Sequence, residues 1–238
     1  MALNTFAEQF FLYAYFGIVE EDNMNIKALK CAQRAYLDLN RTLTFNKEYA
    51  EKAKTKAERE RISDQVHKIF SDKISEDIRD AVLKMLNETK TKESFDLWHH
   101  ELCKKVCDAS NIKVEIDGCE YSVLEDKMSY GQAQKWINMT IKYMWLIGDW
   151  KEQMDKKSDF FHVPVDSYII ESQWSESFIP YVNKDKLVYK TTANNHKKGD
   201  YKPYTEDLVK SWSTWGSDEY LAFQKGLRDK IEKNKLLL

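Results

Sequence analysis

Three features of this sequence predict a mainly α-helical fold. Only 7 Gly and 3 Pro punctuate 238 residues, so few positions interrupt a helix. Apolar residues recur at three- and four-residue steps along most of the chain, and 13 Tyr, 11 Phe and 7 Trp supply a large aromatic core. With 42% hydrophobic and 32% charged residues, a single helical domain spanning 1–238 can bury a sizeable core without disulfide or metal staples.

The elements follow in chain order. Residues 5–18 (TFAEQFFLYAYFGI) are aromatic and apolar, too short and mixed for a membrane span, and read as a core helix. From Ile26 to Leu43 a second helical pattern puts Ala28, Cys31, Ala32, Ala35 and Leu39 on one face. The stretch Asn46 to Ile74 is dense in Lys, Glu and Arg and predicts a long exposed helix, or a helix with a frayed connection. Ser75 and Glu76 resemble a start signal for a following helix, and Glu93 to Ala109 predicts another. Alternating Ile112, Val114 and Ile116, an Asp117-Gly118 turn, then alternating Cys119, Tyr121 and Val123 predict a small β-hairpin. A short helix over 121–127 competes with its second strand. From Ser129 to Gly148 the helical stripe is Ala133, Trp136, Ile137, Thr140, Ile141, Met144 and Trp145. That stripe faces the core, which turns Gly131, Lys135 and Lys142 toward solvent or a cleft. Asn183 to Pro203 carries six lysines and two aspartates interleaved with tyrosines, a basic loop able to track a phosphate backbone or simply to be solvated.

Several function classes recede on composition. A net charge of −2 argues against coating nucleic acid through bulk electrostatics. The four cysteines, Cys31, Cys103, Cys107 and Cys119, form no paired framework, and with no leader or long apolar run the cytoplasm is the expected compartment, with no membrane association. Cys103 and Cys107 lie one turn from His99 and His100, yet small hydrophobes and a surface histidine on one helix explain them better than zinc, so no metal and no cofactor is expected.

Chemistry concentrates at Lys135 and Asp166. Lys135 lies in the opening turns of the 129–148 helix, where the positive dipole end and partial burial both favour the neutral, nucleophilic amine. Asp166 follows Pro164 and precedes an apolar run, a placement suited to an N-cap carboxylate that is held rigid and could also offset developing positive charge. His162 and Asn138 are possible neighbours of the site.

The run Gly131-Gln132-Ala133-Gln134-Lys135-Trp136-Ile137-Asn138 resembles the second half of the helix-hairpin-helix motif of the HhH-GPD superfamily of DNA glycosylases, and Pro164-Val165-Asp166-Ser167-Tyr168-Ile169 resembles the segment with that family's catalytic aspartate. The motif would occupy 121–148. The Lys-to-Asp spacing is closest to that of archaeal 8-oxoguanine DNA glycosylases. Ala133 stands where the family has its second glycine, and Trp136-Ile137 where it has a smaller pair. The resemblance implies a DNA glycosylase with lyase activity that excises a damaged or modified base, in repair or in defence against modified phage DNA; a monomer is expected. The resemblance assigns catalysis to Lys135 and Asp166 and a phosphate contact to Gly131; Gln132, Gln134 and Lys142, with Lys197 and Lys198 of the basic loop, are further candidate DNA contacts. Trp98, Trp136, Trp145, Trp174, Trp212 and Trp215 are candidates to stack on an extruded base. Two readings compete: a non-catalytic helical module that binds DNA or protein, and a helical enzyme of other chemistry using His99, His100 or His162.

Overall fold

The computed structural model describes residues 2–48, 52–166, 169–170 and 211–234. The basic loop 183–203, with Lys197 and Lys198, and Trp174 lie outside these residues. The protein is mainly helical, as predicted, but the predicted single domain divides into two compact units. One holds the chain up to Met128 together with Ala133–Phe161, and the other holds Ser129–Gln132 with the chain from His162 onward.

The first unit opens with α1, Ala2–Phe11, which runs into a π-helical turn at Leu12–Phe16. Gly17 closes that turn in the left-handed region, at φ 68°, with its amide bonded to the Tyr13 carbonyl. The expected core helix over 5–18 is only half right. Phe6, Phe10 and Tyr13 are exposed and burial begins at Phe16, because the π turn rather than α1 packs on the following helix.

That helix, α2, spans Met24–Leu37 and is capped by the Asn23 side chain, which accepts from the Ile26 amide at 3.0 Å. Its predicted inner face is fully buried, and these small residues allow close packing on α3, Lys56–Glu88. The predicted break at Ser75-Glu76 is absent. Both residues sit inside a continuous 33-residue helix, since Ile62, Val66, Phe70, Ile74, Ile78 and Val82 form one unbroken buried row at four-residue steps. A row of that length outweighs a local start signal. A capping box at Thr91 and Ser94 begins α4, Lys92–Ala109.

The hairpin prevails over the competing helix. β1 (Lys113–Ile116) pairs antiparallel with β2 (Cys119–Ser122), with Val114 opposite Tyr121 and Ile116 opposite Cys119. Asp117 and Gly118 both take positive φ, 53° and 75°, the pair that a two-residue turn needs to match strand twist. Residues 121–129 are therefore strand, bridge and irregular chain. The leading helix of the expected 121–148 motif has no counterpart among them.

Next comes α5, Tyr130–Ile147, of which Ala133 onward belongs to the first unit. Trp136 anchors it there: the ring is fully buried beside Tyr36, with centroids 5.0 Å apart, and its Nε1 donates to the Ala32 carbonyl at 2.8 Å. Short α6, Lys151–Asp155, and a 3₁₀ turn at Ser158–Phe160 follow. In the second unit a 3₁₀ turn, Trp212–Thr214, leads into α7, Ser217–Asn234. No helix among the described residues is long and apolar enough to cross a membrane.

Burial sorts the four thiols. Cys31, Cys103 and Cys107 are buried and Cys119 is exposed; burial pushes the Cys107 thiol up to about 11 and Cys31 higher still. Because the thiolate is the reacting form, iodoacetamide near neutral pH should alkylate Cys119 alone in the folded protein and all four residues in denaturant. Labelling of Cys31 or Cys107 at the rate of Cys119, read by peptide mass, would contradict this packing.

Candidate active site

The turn that launches α5 is built by Ser129. Its Oγ accepts from the Gln132 amide at 3.1 Å, while the Gln132 side chain accepts from the Ser129 amide at 2.9 Å. This reciprocal capping box satisfies two amides that the first helical turn leaves open. Gln132, expected to face DNA, is half-buried and turned back onto its own helix start.

Gly131 is held by the C-terminal segment of the same unit. Its amide donates to the Trp215 carbonyl at 3.0 Å, and a Cβ here would run into the Trp212 carbonyl oxygen. Ser129 Oγ donates to the Ser213 carbonyl, and Tyr130 packs on Tyr220 with centroids 5.5 Å apart. The glycine is thus required by close approach of two backbones. Its amide, which the resemblance offers to a phosphate, is already engaged by Trp215.

Beyond this turn α5 is covered on every side. Each residue from Ala133 to Ile141 is buried, so the expected exposed face is missing from that stretch and returns only at Lys142. Lys135 is 5% exposed, which is unusual for a lysine. Gln134 is fully buried and accepts from Asn138 Nδ2 at 3.0 Å, while Asn138 Oδ1 lies 2.9 Å from His99 Nε2 and His99 Nδ1 is 3.6 Å from Cys103 Sγ. Gln134 is therefore withdrawn from any DNA surface, a correction to its expected contact role. It belongs instead to a buried polar row, joined by His99 and Asn138, on the helix that carries Lys135. Of the candidate DNA contacts within the described residues, only Lys142 is exposed.

In the second unit Asp166 caps as predicted: Oδ1 accepts from the Ile169 amide at 2.9 Å, and its carbonyl accepts from the Ile170 amide at 3.0 Å. The approach to Asp166 is gripped by α7. His162 Nδ1 lies 2.8 Å from the Tyr220 hydroxyl, with both side chains buried, and Gln224 accepts from the Val163 amide at 3.2 Å while donating to the Val163 carbonyl at 2.6 Å. Residues 211–224 therefore bind both the turn before Lys135 and the segment before Asp166.

The tryptophans divide differently from expectation. Trp136 and Trp215 are buried in packing, whereas Trp98, Trp145 and Trp212 are partly exposed. Among the described residues no three metal-ligating side chains gather. Compared with protein-family models, curated proteins and solved structures, the chain gives no match.

The capping role of Ser129, the contacts of Tyr220 and Gln224, and the pairing of His99 with Asn138 are not anticipated from the sequence. The S-x-x-Q spacing of Ser129 and Gln132 was a readable capping signal. Tyr220 and Gln224 lie one turn apart on α7, but their partners, about sixty residues earlier, leave no local trace.

Gly131→Ala separates a packing glycine from a phosphate contact. Helix propensity alone favours alanine by about 1 kcal/mol, whereas overpacking costs about 1–3 kcal/mol, and a Cβ that overlaps a backbone oxygen falls at the upper end of that range. Urea unfolding without DNA should show net destabilisation; unchanged or increased stability would remove the close approach.

Proposed function

We propose that the protein is a DNA glycosylase with lyase activity that removes a damaged or modified base, with Lys135 as nucleophile and Asp166 as the carboxylate that offsets charge on the sugar. The observation carrying this reading is that 211–224 holds the chain just ahead of each residue the glycosylase resemblance pairs: Ser129 and Gly131 ahead of Lys135, His162 and Val163 ahead of Asp166. Burial of Lys135 supports it further. A nucleophile that meets a base extruded from the stack works below the protein surface, while a lysine serving only as a phosphate contact needs exposure. The non-catalytic binding module is the weaker account on that ground.

In this reaction the Lys135 Nζ lone pair attacks C1′, and the C1′–N bond breaks with its electron pair leaving on the base. The proton shed by the amine balances the one taken up by the base. The nitrogen lone pair then expels O4′, which takes a proton from water, leaving an iminium that joins Lys135 to the opened sugar. The Asp166 carboxylate lowers the barrier by opposing positive charge as it develops on the ring.

Borohydride reduces such an iminium to a stable amine. Duplexes bearing oxidised, alkylated or phage-type glycosylated bases, and one bearing an abasic site, should yield a trapped protein–DNA adduct with the wild type. Lys135→Ala and Lys135→Arg should both lose it, by about a thousandfold or more on the scale of losing a covalent nucleophile. An adduct retained by Lys135→Ala, or absent from the wild type on every duplex, would reject the reading; retention by Lys135→Arg would favour a phosphate contact.

A further inference from the structure

Resting on the base-excision reading, we propose that Tyr220 and Gln224 of α7 are positioning residues that act through Asp166. The Val163 peptide is held at both ends by one amide side chain: Gln224 accepts from its N–H and donates to its carbonyl. This copies the paired bonds of a strand neighbour and fixes the peptide plane three residues before Asp166. One turn earlier on α7, the Tyr220 hydroxyl meets His162. Both gripping side chains are buried, Tyr220 completely and Gln224 at 3% exposed, so water replaces neither bond cheaply.

Pro164 lies inside the short span between grip and carboxylate and restricts the backbone there. The far end is fixed by the cap itself, through the Ile169 amide on Asp166 Oδ1. Asp166 is therefore anchored on both sides, by α7 before it and by its own helix start after it. The Tyr220 ring also packs on Tyr130, so the residue that orients the aspartate segment touches the turn leading to Lys135.

The probe is whichever of the oxidised, alkylated or glycosylated duplexes the wild type traps fastest, because departure of the base is the step at which charge develops on the ring and Asp166 acts. Rates of borohydride-trapped adduct would be measured under single turnover, and affinity on a duplex with a non-reactive abasic analogue. Gln224→Met should slow adduct formation by about ten- to a hundredfold, the usual scale for misplacing a reacting group, with affinity within about twofold. In an Asp166→Asn background the same substitution should change the rate by less than about twofold, because the group it positions is gone. Equal losses in the two backgrounds, or full activity of Gln224→Met, would overturn the proposal. Tyr220→Phe, which keeps the ring and removes only the hydroxyl, gives the same comparison should Gln224→Met fail to fold. A wild-type protein that forms no adduct would overturn the base-excision reading and this role with it, a result distinct from an active enzyme indifferent to Gln224.

Discussion

Close approach of two backbones at Gly131 is the constraint on which the rest of the site depends. The Trp212–Trp215 segment lies so near that no side chain fits, and the Gly131 amide is committed to the Trp215 carbonyl. This contact fixes where α5 begins. The capping box of Ser129 and Gln132 closes the same turn.

A helix buried on all sides leaves its polar residues few options. Gln134, Asn138 and Thr140 all lie where water cannot reach, and each has a protein partner: Gln134 and Asn138 bond one another, Asn138 meets His99, and the Thr140 hydroxyl donates to the Trp136 carbonyl at 2.8 Å. An unmet buried polar group costs about 1–3 kcal/mol, so such a row is retained only where it is satisfied or useful. The chain of Cys103, His99, Asn138 and Gln134 locks the rotation of α5 against α4. Rotation of the helix is what decides the direction in which Lys135 projects.

Much of the fold was legible because it is written in local periodicity. The α2 face, the hairpin with its Asp117-Gly118 turn and the stripe led by Trp136 all follow from spacing and turn chemistry. Errors arose where a local signal met a longer pattern or a distant partner. Ser75-Glu76 reads as a helix start in isolation, but the buried row from Ile62 to Val82 runs through it. Lys135 reads as outward-facing because only one side of α5 is apolar; the opposite side is covered as well, and polar pairing with residues such as His99 makes that tolerable. Asp166 as a cap was readable from Pro164 and the apolar run after it. The grip of Gln224 on Val163 was not, since it joins positions 61 residues apart.

The assignment of Lys135 as the reacting amine can be tested directly by peptide mass mapping of the borohydride-trapped adduct on an abasic duplex. The account predicts a reduced deoxyribose on the peptide that contains Lys135. The same mass on another lysine or on the terminal amine would contradict it.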